Sequence, residues 1–306
     1  MIIGVVVTAA SLVVGTLSTS FARPAHPGSM PGAKHGSVRG PNPKAPRGGM
    51  VRGLQTGRHI SVNTPANTRR FLALHRQMRN ALHGKADRVS TIHEYVGTSF
   101  DRLANFNGAQ ATQSVSTKIH VGNAGTTLYM PTMYPNDACV EVTTAYFFGS
   151  RAVAAWDWCQ AIRFVAQVPI NKSFVATYTV NHNYTTQIVR TNPSTNEWTA
   201  YLYNYTTASW DTLFKQSGTG QVGPVEGWDI YELYTNLKAN GQSYACDDLK
   251  KKRVESQSIQ VEIGSTWNVA DPAHAGNDYD VPLADFHCNS LHYHMLTPFS
   301  HWKAKG

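Results

Sequence analysis

From about residue 115 onward this chain is patterned with a period of two. Short stretches alternate apolar and polar residues, favour β-branched and aromatic side chains, and recur at 115–121, 140–148, 161–168, 174–180, 184–191, 198–205, 210–216, 228–235 and 258–263. Turn chemistry separates them, as at Asn192-Pro193-Ser194 and Ser217-Gly218-Thr219-Gly220. Successive side chains of a strand point to opposite faces, so each stretch has one face to bury. Many short strands with no alternating helices predict an all-β, antiparallel β-sandwich of the jelly-roll or concanavalin-like kind, and exclude a βαβ fold. The sandwich is expected over 114–297, with 298–306 as a tail.

The rest of the chain is built differently. Residues 2–17 are an apolar run, and Ser20-Phe21-Ala22 fits a small-x-small cleavage rule, so 1–22 reads as a signal peptide. The expectation is a secreted protein with no stable membrane span once the signal is removed. Residues 23–63 repeat Pro and Gly without apolar periodicity and read as a disordered basic linker or pro-segment. A helical lead-in is assigned to 64–113. Within it Phe71, Leu72, Leu74, Met78 and Leu82 fall at helical spacing over 68–83, opposite Arg69, Arg70, Arg76 and Arg79.

Charge separates these parts. The chain has 27 Lys and Arg against 19 Asp and Glu, a net +8. Twelve of the basic residues, and no acidic ones, precede Asp87. The sandwich itself is therefore mildly acidic, which argues against a nucleic-acid partner. The basic linker is left as a contact for an anionic surface. Four cysteines, an even number, suit an oxidising compartment. Pairing Cys139 with Cys159 and Cys246 with Cys288 closes two local loops without threading the central strands.

Two strands carry the functional expectation. In 198–205, Trp198, Ala200 and Leu202 make a core face, while Tyr201, Tyr203 and Tyr205 line the other. A row of phenol rings, apolar in the middle and polar at the edge, suits the C–H face of a sugar. The second strand, Gly227-Trp228-Asp229-Ile230-Tyr231-Glu232, resembles the E-[ILV]-D-[ILVF]-x-E strand of the secreted jelly-roll β-glucanases. In that family the first Glu is the nucleophile, the Asp orients and the last Glu is the acid/base. Asp229 and Glu232 match, Trp228 stands for an aliphatic residue, and Gly227 replaces the nucleophile. Glu226 points to the opposite face. Retaining glycosidases need two carboxyl groups about 5–5.5 Å apart, so the resemblance implies the fold more than the activity. The order Trp158-Cys159-Gln160 then Gly227-Trp228 is similar to that of the secreted glutamic peptidases, which pair a Gln with a Glu on a sandwich. There too the expected Glu is replaced by Gly227.

His287, His292, His294 and His301 cluster near the C-terminus. Leu291, Tyr293 and Met295 alternate with them, so the reading is an edge strand with solvent-facing histidines and no metal site. No nucleophile elbow, P-loop or H-E-x-x-H motif occurs, and no cofactor or catalytic residue is assigned. The leading expectation is non-catalytic binding of a polysaccharide or cell-surface glycan through Tyr201, Tyr203, Tyr205, Asp229 and Glu232. A secreted hydrolase, glycosidase before peptidase, using Asp229, Glu232 and Glu226 is the alternative. A structural surface protein without a ligand site is the third.

If the basic linker is a tether, deleting 23–63 removes salt-sensitive adhesion to an anionic polymer and leaves thermal stability unchanged. Salt is diagnostic because exposed charges are screened beyond about 8 Å at physiological ionic strength. Adhesion that survives deletion places the contact on the sandwich.

Overall fold

The computed structural model describes residues 91–100, 105–220, 227–278 and 286–306. The signal segment, the basic linker, the 68–83 helix and Glu226 lie outside the described residues. Two antiparallel sheets pack face to face. The first sheet contains β1 (Thr91–Phe100), β3 (Thr127–Tyr134), β4 (Val140–Phe147), β5 (Ser150–Asp157), β6 (Arg163–Pro169), β10 (Gly227–Asn236) and β13 (Ala275–Asp278). Its order is β13-β1-β10-β3-β4-β5-β6. The second contains β2 (Phe106–Ser114), β7 (Asn183–Asn192), β8 (Glu197–Asn204), β9 (Ser209–Gln216), β11 (Arg253–Ile263), β14 (His292–Thr297) and β15 (His301–Lys305). Its order is β14-β15-β11-β2-β7-β8-β9, with β12 (Thr266–Val269) paired to β11. Among the described residues two short helices, α1 (Lys172–Tyr178) and α2 (Ala245–Leu249), interrupt the strands.

The sandwich is wider than the periodicity suggested. β1 and β2 lie where a helical lead-in was expected, and β15 reaches into the supposed tail. Of the nine stretches, 115–121 is turn and irregular chain with a bridge at Val121, and 174–180 is mostly helix. The helix has local causes. The Asn171 side chain accepts from the Phe174 N–H at its N-cap, and Phe174 and Tyr178, four residues apart, both turn into the core. β-branched content read this segment as a strand, and capping with tertiary packing overrode it.

The space between the sheets is filled by large apolar side chains, among them Phe100, Leu128, Tyr146, Trp198 and Trp302, all fully buried. A polar thread runs through this core. Asp229 of β10 accepts from Gln113 Nε2 of β2 at 2.8 Å and from Trp302 Nε1 of β15 at 2.8 Å. Gln113 Oε1 in turn accepts from Tyr184 OH of β7 at 2.6 Å, and that phenol meets Thr144 Oγ1 of β4 at 2.7 Å. The chain of bonds starts and ends on the first sheet and passes through the second. It fixes how one sheet sits on the other, because unpaired polar groups at this depth are costly.

The disulfides pair as expected, Cys139 with Cys159 and Cys246 with Cys288. The first ties the start of β4 to the turn after β5, and the second ties α2 to the loop before β14. They close sequence separations of 20 and 42 residues, which in the chain-entropy model stabilises the fold by about 3 and about 4 kcal/mol. Mild reduction under native conditions should therefore lower the melting temperature sharply. Mass measurement without reductant should show no free thiol, and two titratable thiols in the native protein would break one bridge of this framework.

Candidate active site on the outer face of the first sheet

Alternation along β10 sends Asp229, Tyr231 and Leu233 into the core and leaves Trp228, Glu232 and Tyr234 part-exposed on the outer side. On the neighbouring β4, Glu141 stands on that same outer side. Between them β3 carries a register shift between Tyr129 and Thr132 against both neighbours. The irregularity brings Tyr129 and Thr132, three residues apart, to one face, where plain alternation would separate them. The outer side of the first sheet thus gathers two carboxyl groups, a threonine pair and an aromatic wall.

Glu141 is 6% exposed and held on three sides. Trp158 Nε1 donates to its Oε2 at 2.8 Å, and Trp228 Nε1 approaches its Oε1 at 3.4 Å. Thr132 donates a short hydrogen bond to Oε1 and shares a second with Thr143 Oγ1 at 2.9 Å. Burial, and then the nearby Glu232 carboxylate, push the Glu141 carboxyl up to about 7 against the opposing pull of these donors. Glu232 Oε1 takes His93 Nε2 at 2.7 Å and Tyr234 OH at 2.9 Å. His93 lies flat on Tyr234 with ring centroids 4.0 Å apart. The Tyr129 phenol is raised by burial and by both carboxylates, which places it in the field of the pair. Trp156, Phe164 and Phe147 extend the aromatic wall along β5, β6 and β4. Cys159, next to Trp158, is bonded to Cys139, two residues before Glu141, so the disulfide braces the indole against the carboxyl.

The sequence-derived site residues are not brought together. Tyr201 and Tyr203 of β8, with Tyr205 in the turn after it, lie on the outer side of the second sheet, whereas Asp229 and Glu232 belong to the first sheet. A tyrosine row flanked by these carboxylates is therefore corrected by the sheet assignment. Asp229 is fully buried in the core thread and is pushed up to about 7 by burial, against donors from Gln113, Ser256 and Trp302. Tyr201 is 3% exposed and packs with Val189 and Trp210. Tyr203 and Tyr205 keep partial exposure, and the Tyr205 hydroxyl bonds Thr185 Oγ1 at 2.8 Å. Glu232 does reach the outer side, and its carboxyl neighbour is Glu141, which sequence reasoning missed. Its two indole partners, Trp158 and Trp228, belong to the motifs read from the sequence, whereas Glu141 itself does not. Gly227 shows why the glucanase-type nucleophile is absent. A Cβ there would come within 2.5 Å of the Tyr134 carbonyl, so β10 and β3 run too close for a glutamate. Gln160, the residue of the peptidase-like order, is exposed and donates to the Ser217 carbonyl. His292 and His294 lie exposed on edge strand β14, as expected, while His301 is buried against Glu255 at 2.6 Å. Asn204, at the end of β8, is buried, its side-chain amide donating to Asp211 at 2.9 Å.

No family model and no curated protein matches this sequence. Among solved structures, the chain is similar to scytalido-glutamic peptidase, crystallised with a transition-state analogue inhibitor. The TM-score is 0.37 at 10% identity, covering 71% of this chain and 98% of that one.

The two raised carboxyls set a pH dependence of stability. In the unfolded chain they release their protons near 4, while in the folded protein they hold them to about 7. Between those values the native state binds more protons, so unfolding free energy falls as pH rises, and the loss is complete above about 7. The groups account for at most about 3 kcal/mol (Glu141) and about 4 kcal/mol (Asp229). Chemical denaturation from pH 4 to pH 8 should show this decline, and Glu141→Gln should flatten it. A wild-type slope of the opposite sign would contradict the burial of both carboxyls.

Proposed function

We propose that this protein is an extracellular acid–base hydrolase that cleaves a polymer laid across the outer face of the first sheet. The observation that carries the reading is the Glu141 carboxyl, held near neutrality beside the second carboxylate of Glu232. Two carboxyl groups in different surroundings are the arrangement that lets one act as acid while the other acts as base. Glu141, protonated below about 7, donates to the leaving group. Glu232, oriented by His93 and Tyr234, takes the proton of the attacking water. The two tryptophan N–H groups on Glu141 stabilise the carboxylate that forms after donation, and the Thr132–Thr143 pair keeps the group from rotating away.

The part-exposed rings of Trp156, Trp158 and Trp228 beside the carboxyls suit the apolar face of a pyranose chain, which supports a glycan as substrate. Hydrolysis of an amide by the same pair is the alternative within this reading. Non-catalytic glycan binding through the tyrosine row takes second place, because Tyr201 is already spent on packing. The two disulfides support an oxidising, extracellular destination.

A panel of soluble polysaccharides and an unfolded protein substrate, assayed across pH 3–8, tests the proposal. Glu141→Gln and Glu232→Gln should each lower kcat/KM by about 10²–10⁴ while the protein stays folded. Activity on the cleaved substrate should decline above about pH 7 as Glu141 loses its proton. Trp158→Phe removes a donor to the carboxylate, so it should move that alkaline limb upward. Retained turnover in both glutamine variants would refute the acid–base assignment, and cleavage of protein alone would decide for the amide bond.

A further inference from the structure

At the end of β4, beyond the aromatic wall, a cavity of about 490 Å³ opens beside the tight turn into β5. That volume is within the range of small-molecule sites. Ile119, Val121, Phe147, Phe148 and Ile170 form its apolar walls, with Arg151 and His120 on one side. Phe148 is 48% exposed, one of two large apolar side chains left in water among the described residues. Among the described residues, no acidic side chain lines the cavity. β4 covers six residues between Glu141 and Phe147, so about 20 Å of strand separates the cavity from Glu141.

The Arg151 guanidinium is anchored on one side only. Its Nε donates to the Ile170 carbonyl at 3.0 Å, and its Nη1 lies 3.5 Å from both the Ile119 carbonyl and His120 Nδ1. Among the described residues, Nη2 has no hydrogen-bond acceptor and the side chain has no carboxylate partner. A half-buried guanidinium against apolar walls, with two N–H donors unspent, is a cation awaiting an anion. The planar fork favours a carboxylate, and the walls favour an apolar stem behind it. We propose that this cavity binds a free amphiphilic carboxylate, an aliphatic or arylalkyl acid, with its head on Arg151 and its tail against Phe148 and Ile170. The site is separate from the carboxyl pair and does not rest on the hydrolase reading.

Calorimetric titration of the full, disulfide-bonded chain with octanoate, 1-octanol and octylammonium tests it. Octanoate should bind saturably at one site, octanol about tenfold or more weaker, and octylammonium weaker still, since a hydrogen bond to a charged group is at stake. Arg151→Met should weaken octanoate by about tenfold or more. That arginine also ties two backbone carbonyls, so Phe148→Glu, at an exposed position, supplies an independent variant that sets a like charge against the anion. Glu141→Gln should leave octanoate affinity unchanged. The proposal is overturned if octanoate does not saturate, if octanol binds equally well, or if both folded variants retain wild-type affinity. It also fails if Glu141→Gln abolishes binding, which would move the acid to the carboxyl pair.

Discussion

The buried carboxyl of Asp229 sets the frame on which the other features of this sandwich rely. It sits between the sheets and is satisfied only by groups from the opposite one, Gln113 on β2 and Trp302 on β15. A carboxyl so placed is tolerated when every partner is present and is expensive when one is missing. The interaction therefore specifies one relative placement of the sheets, where apolar packing alone would permit several. It also fixes the register of β10, because side chains alternate and a slip of one residue would send Asp229 to the surface and Glu232 into the core.

That register makes the candidate site. With Asp229 inside, Glu232 must face out, and the adjoining strands deliver Glu141, Thr132 and the tryptophans to the same side. The irregular step in β3 adds Tyr129 to the group without displacing Thr132. Two carboxyls three residues apart on one strand thus have different roles. Asp229 binds the sheets together, and Glu232 faces outward. Glu141 is the counterpart of Asp229 on the outer side: buried, raised towards neutrality, yet held next to a second carboxylate and not within a closed apolar core.

The outer sides of the two sheets differ in kind. On the second sheet Tyr201, Gln187 and Gln110 are nearly inaccessible, and Gln187 and Gln110 bond to each other at 2.9 Å. The phenol row there contributes to packing at Tyr201 and keeps some exposure only toward Tyr203 and Tyr205. On the first sheet the rings border ionisable groups, so the aromatic surface next to carboxyls lies away from the strand whose sequence advertised it most strongly.

Period-two patterning determined the fold class, because one face of each strand had to be buried. Proximity along the chain was enough to choose the cysteine pairs, since short loops close most readily. The exposed edge histidines were legible from the apolar residues alternating with them. β2 and β5 were not legible: FNGAQATQS and SRAVAAWD are too small and too polar to show an apolar face, and they become strands because neighbours bury both of their sides. Glu232 could be singled out from its motif, but its partner could not. Glu141 and Glu232 come from distant parts of the chain and meet only across the intervening β3. Which face each carboxyl occupies, and hence which one binds the sheets and which one faces outward, was decided by tertiary register, since a strand's local sequence defines two faces without saying which of them the second sheet will cover.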